Sequence, residues 1–188
     1  MKIRKFFGHL RTVNRHRFLV FRLCCKAGIP LQGLAHDLSK YSFTEFWEGV
    51  KYYNKGTYSP IKDAKRKEGY SKAWLHHKGR NKHHYEYWYD YDLEKPEVLM
   101  PYKYFAEMVC DELAAGIVYD GDDWTDGSQL DYWMKVRKRA RVDDRIDEAL
   151  IEVYTLVKDY GIDKIVNHER LSEIYQKHVG EKNDKRNK

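Results

Sequence analysis

His36, Asp37 and Lys40 place an imidazole, a carboxylate and an ammonium within five consecutive residues, in the stretch Gly33-Leu-Ala-His36-Asp37-Leu-Ser-Lys40. Adjacent His and Asp can share one divalent cation when the backbone aims both side chains the same way. Lys40 follows Asp37 by three residues, so on a helical turn its ammonium shares that face. A His-Asp pair alone is commonly no more than a hydrogen-bonded surface pair. The distribution of other histidines argues for more: His16 lies upstream, and His76, His77, His83 and His84 crowd into nine residues downstream, interleaved with aromatics and Asn81. Asp111 interrupts the apolar run Met108-Val-Cys-Asp111-Glu-Leu-Ala-Ala, where a carboxylate needs a partner to be buried. Mixed nitrogen and oxygen donors without cysteine suit Mn, Fe, Co, Ni, Zn or Mg and do not select zinc.

The elements that must position these groups read as helices. Phe6, Leu10, Val13, Val20, Leu23, Cys24 and Ala27 recur at mostly three- and four-residue steps, which predicts a first helix over 4–27 with His16 on its inward stripe. A short helix over 31–38 should end at the His-Asp pair. Ser42-Phe-Thr-Glu45 is a capping-box signature for a third helix, with Phe43, Phe46, Trp47, Val50 and Tyr53 as its apolar face. Residues 54–69, with Gly56, Pro60 and Gly69, read as a long loop able to act as a lid. Residues 74–88 read as two helical segments hinged near Gly79. Neighbours on a helix differ by about 100°, so at most one of each His pair faces a common centre squarely; His77 is preferred over His76, and His84 slightly over His83.

Pro101 opens a helix running to Tyr119 with Asp111 near its middle. The acidic turn at 120–127 lacks the twelve-residue EF-hand pattern. Further helices are expected from Ser128 or Asp131 into the basic run Arg137, Lys138, Arg139 and Arg141, from Asp144 to Gly161, and after Asn167. No segment alternates as a strand between hairpin turns, so the fold class is all-α. One domain is expected over 1–180, with a core at roughly 10–140, additional helices over 141–180, and a flexible tail at 181–188.

Charged residues make up 34% of the chain, but 42% hydrophobic and 15% aromatic content exclude a disordered chain. The balance of 35 Lys and Arg against 29 Asp and Glu gives +6, consistent with an anionic small molecule, a nucleotide or nucleic acid as partner. Cys24, Cys25 and Cys110 show no CxxC spacing and read as reduced core thiols, which implies the cytoplasm. Arg11, Arg15, Arg17 and Arg22 interrupt the N-terminal apolar residues, so neither a signal peptide nor a membrane span is expected.

The order His16, His36-Asp37, His76 or His77, His83-His84, Asp111 resembles the HD superfamily of metal-dependent phosphohydrolases. His36-Asp-Leu-Ser-Lys40 looks like that superfamily's HD-x-x-K segment, and His83-His84-Tyr-Glu86-Tyr-Trp88 like the paired histidines of its cyclic-dinucleotide branch. The Gly-Tyr-Pro that names the branch does not follow Trp88, so the likeness does not extend to that substrate. Over roughly residues 10–140 the chain is also similar to a phage and bacterial HD-like family carrying HDLSK and AWLHHKGRNKHHYEYW, which has no settled activity.

The resemblance implies an HD-domain-like helical bundle with two metals per chain. His16, His36, Asp37 and Asp111 would surround one; Asp37 would bridge to a second held by His77 or His76 and by His83 and His84. Phosphoester hydrolysis by a metal-activated water would follow, with Asp37 and Lys40 as catalytic residues and Lys40 balancing phosphoryl charge. The same scaffold hosts di-iron oxygenases acting on organic substrates. A non-enzymatic nucleic-acid-binding module using the Arg137–Arg141 run would explain the charge but not the histidines.

Overall fold

The computed structural model describes residues 2–56 and 58–180. Helix α1 (Lys2–Lys26) buries His9, Val13, His16, Val20, Leu23 and Cys24 at helical spacing. Cys25, one position on, points outward and is exposed, so only two of the three thiols lie in the core. Helix α2 (Pro30–Ala35) crosses α1 at Gly33, where a Cβ would lie 2.5 Å from the Cβ of Cys24. That close approach requires glycine.

The second helix ends before the His-Asp pair instead of running through it. Asp37 adopts a left-handed backbone with φ of 52°, and the chain continues as a 3-10 turn over Leu38–Tyr41. Such a conformation costs a non-glycine residue about 1–2 kcal/mol. It is held in place from α1: Arg17 donates from Nε to the His36 carbonyl at 2.8 Å and from Nη2 to the Leu34 carbonyl at 2.8 Å. These carbonyls would otherwise be left without partners where α2 stops.

Helix α3 (Phe43–Tyr52) starts at Ser42, whose Oγ accepts from the Glu45 amide at 3.3 Å. Only that half of the expected capping box forms, because the Glu45 carboxylate accepts from His76 and His77 instead. The expected long loop contains a helix, α4 (Pro60–Glu68). Pro60 is its first residue and Gly69 its left-handed C-cap with φ of 79°, so the residues that suggested a loop are its start and stop signals. Its buried face is only Pro60, Asp63 and Ala64, which leaves no apolar period to reveal it.

Helix α5 (Lys72–Lys78) is capped by Ser71, and after Gly79 the chain forms turns and a 3-10 segment at Tyr85–Trp88, not a second α-helix. Helix α6 (Tyr102–Asp120) is central, with Phe105, Ala106, Met108, Val109, Cys110, Leu113 and Ala114 buried. Helices α7 (Ser128–Val136), α8 (Asp144–Tyr160), the single turn α9 (Ile162–Ile165) and α10 (His168–Val179) complete the core around Trp133, Leu150, Tyr154 and Leu171. The basic run lies beyond the end of α7, and Arg137 is committed to Asp147, which also accepts from the Trp133 indole at 2.8 Å.

Among the described residues there is no strand, only an isolated bridge between Tyr89 and Glu97; the fold is all-α. None of the described helices is long and apolar enough to cross a membrane. The tail expected at 181–188 lies outside the described residues. Helices α1 and α6 each face two ways: towards the apolar core with α8 and α10, and towards a polar cluster closed by α2, α3, α5 and the 83–84 turn.

Candidate metal centre

His16 from α1, His36 and Asp37 from the left-handed turn, and Asp111 from α6 form a buried group able to hold a metal ion. His16 Nε2 lies 3.0 Å from Asp111 Oδ1, 3.4 Å from His36 Nε2 and 3.8 Å from Asp37 Oδ2. His36 Nε2 lies 3.1 Å from Asp37 Oδ2 and 3.3 Å from Asp111 Oδ1. An ion bound at about 2.1 Å has adjacent donors about 3.0 Å apart in an octahedron and about 3.4 Å in a tetrahedron. Four of these separations fall on those edges, and the fifth, His16 to Asp37 at 3.8 Å, is longer.

A second group comprises Asp37, His77, His83 and His84. Asp37 turns Oδ2 to the first group and Oδ1 to the second, where His77 Nε2 is 3.3 Å and His83 Nε2 3.5 Å away. Asp111 also reaches across, its Oδ2 being 3.6 Å from His83 Nε2. Both Asp37 oxygens and the Nε2 atoms of His83 and His84 are buried without a well-formed hydrogen bond. Asp37 Oδ2 has the Lys40 ammonium at 2.6 Å; the other three polar atoms cost about 1–3 kcal/mol each unless something pairs them, and a cation would pair them.

All seven candidate ligands therefore lie in these two groups. His77 enters and His76 does not; it pairs with Glu45 towards the surface. His83 and His84 both enter, because they lie in a turn and the 100° rule for helical neighbours does not apply to them. Asn81 shapes this turn by bonding through Nδ2 to the His77 carbonyl at 2.9 Å.

Two further carboxylates, which the sequence reasoning missed, orient the imidazoles from behind. Glu107 Oε1 lies 2.9 Å from His36 Nδ1 and 3.1 Å from His83 Nδ1. Glu45 Oε2 lies 2.8 Å from His77 Nδ1. A ring that donates from Nδ1 presents Nε2 as its free acceptor, which is the atom facing the cluster in all three. Glu107 was findable: it precedes Asp111 by one helical turn in the same apolar stretch. Glu45 was hidden by its fit to a capping box.

Of the four buried carboxylates Asp37, Glu45, Glu107 and Asp111, Asp37 meets the Lys40 ammonium, 2.6 Å from its Oδ2. Burial would push Asp37 up, but His36, Lys40 and His77 hold it well below the usual carboxylate range. Asp111 is depressed likewise, burial being outweighed by His16, His36 and His83. Burial opposes the Lys40 charge as well, yet Asp37 and Asp111 keep it firmly protonated. His84 is held well below an ordinary histidine by burial and by His83 and His77, so its ring is neutral with a lone pair to offer. Burial would lower His36, but Asp37, Asp111 and Glu107 hold it well above an ordinary histidine, so a cation entering the first group would displace a proton from that ring. The cluster is electronegative and its donors are already gathered, as a divalent-cation site requires.

A family model described as a family of unknown function (DUF5662) matches residues 5–156. The chain belongs to that family. No curated protein and no solved structure matches the chain. The matched residues include the whole cluster and stop within α8.

Proposed function

We propose that this family member is an HD-type, metal-dependent phosphohydrolase with two divalent transition-metal ions per chain, acting on a nucleotide or other phosphoester. The observation that carries the reading is the sharing of Asp37: two four-residue groups meet at one carboxylate whose oxygens face opposite ways. When bound, such a pair of cations supplies an activated water and a clamp on phosphoryl oxygens.

The chain's own residues do the rest. Asp37 and Asp111 hold the two positions close and give them negative charge. His16 and His36 serve the first position, and His77, His83 and His84 the second. Lys40 carries no free lone pair while charged, so it is not a ligand. Its side chain is 26% exposed while its ammonium sits 2.6 Å from Asp37 Oδ2, at the edge of the cluster where an anionic group would meet it. Burial of His16, His36, Asp37, His77 and His83 keeps bulk water from competing for that charge.

The test is elemental analysis of protein expressed with Mn, Fe, Co, Ni or Zn, followed by a screen of phosphomonoesters, nucleotides and cyclic nucleotides. About two equivalents of metal and chelator-sensitive phosphate release are expected. Oxygen consumption by iron-loaded protein with an organic substrate, and no phosphate release, would replace the hydrolase reading by a di-iron oxygenase. Salt-sensitive nucleic-acid binding that survives chelator would point instead to the basic surface, although Arg137 is already spent on Asp147.

A further inference from the structure

Glu107 stands behind both groups at once. Its Oε1 lies 2.9 Å from Nδ1 of His36, which belongs to the first group, and 3.1 Å from Nδ1 of His83, which belongs to the second. Its Oε2 accepts from the Gln32 amide of α2, which also donates to the Lys103 carbonyl at 3.0 Å. The carboxylate is buried in the N-terminal half of α6, one turn before Asp111. The two rings it joins are tilted over one another with centroids 4.5 Å apart. Glu45 is built differently: its two oxygens take His77 and the outlying His76, so it touches only the second group.

We infer that Glu107 is the positioning residue that couples the two metal positions, holding one imidazole of each in the tautomer and orientation that presents Nε2. Ordering one ring by a bound ion fixes the shared oxygen, and through it the other ring. The second position is then prepared before its own ion arrives. This coupling is additional to the one through Asp37, since it runs through the rear nitrogens and leaves the bridging carboxylate untouched. It rests on the two-metal reading proposed above.

The test compares Glu107→Gln with Glu45→Gln by titrating the chelator-stripped full chain with Mn(II) or Co(II) against a competing chelator. Stoichiometry and affinity are read at each step, and visible absorption of the cobalt form reports ligand geometry. Removal of such an orienting partner weakens metal binding about 10–100-fold. Glu107→Gln should lower affinity at both steps by that amount and perturb the spectrum of both bound ions. Glu45→Gln should spare one equivalent. Gln32→Ala, at a part-exposed position, should reproduce the Glu107 pattern more weakly by freeing the carboxylate.

Parent-like affinities at both steps in Glu107→Gln and Gln32→Ala would overturn the coupling while leaving the two-metal centre standing. So would loss of only one equivalent. A third equivalent removed selectively by Glu107→Gln would make Glu107, His36 and His83 an ion position of their own and also overturn it. Failure of the parent to bind metal would bring down the two-metal reading itself and the coupling with it.

Discussion

His9 and His16 lie on one buried stripe of α1, seven residues apart, and have opposite surroundings. His9 packs among Phe46 and Tyr53, at ring-centroid distances of 5.3 and 6.2 Å, and against Gly49. Its Nδ1 has no partner, and burial, helped by Lys40, lowers it to about 4. His16 meets Asp111 at 3.0 Å and His36 at 3.4 Å. One is a neutral ring filling an apolar notch; the other completes a polar cluster. A histidine on an inward stripe is thus not evidence of chemistry. What distinguishes the two is which carboxylates the other helices bring to it.

The largest effect that would break this contrast is on metal content. Asp37→Ala should lose both equivalents together, His16→Ala should weaken mainly the first, and His9→Gln should keep both. Elemental analysis of folded protein decides this, and equal metal in Asp37→Ala and the parent would remove the central assignment. Lys40→Met comes next: it keeps the stem and deletes the charge, so turnover of a phosphoryl substrate should fall on the order of a hundredfold with metal unchanged, as on removing one positioned donor. An unaltered rate would confine Lys40 to its ion pair with Asp37 and remove it from the chemistry.

The third prediction concerns pH. The unfolded chain protonates His9 near 6.5 while the folded chain resists until about 4, so the unfolded state binds more protons in that window. Stability contributed by the neutral ring is present above pH 6.5 and is lost as pH falls towards 4, by about 3 kcal/mol. Urea midpoints of the parent and His9→Gln should therefore converge on acidification over that range. Parallel curves would show that the ring is free to protonate where it is.

The smallest effect is at the notch itself. A Cβ on Gly49 would fall 2.1 Å from His9 Nε2, so Gly49→Ala should cost about 1–3 kcal/mol in thermal or urea unfolding. Metal content should stay at the parent value, because the displaced ring is the one outside the cluster. Metal loss in this variant would mean that α1 positions both histidines as one rigid unit.

Much of this architecture is local and therefore legible in the chain. The inward stripe of α1, the start of α3 at Ser42 and the run from Pro101 to Tyr119 follow from apolar periods and caps, which neighbouring residues determine among themselves. The candidate ligands were visible for the same kind of reason, as polar residues crowded together or lodged where apolar ones belong. The left-handed Asp37 was not visible, since it depends on Arg17 reaching from another helix to the carbonyls of Leu34 and His36. Helix α4 was missed because its punctuation resembles a loop and its buried face is too small to print a period. The entry of both His83 and His84, the rear contacts of Glu107 and Glu45, and the separation of His16 from His9 were decided by tertiary structure alone. Each depends on donors far apart in sequence arriving within about 3–4 Å of one another, the range over which hydrogen bonds and shared ligation act. Residue type and spacing state what a side chain can do; only packing brings it the partners with which to do it.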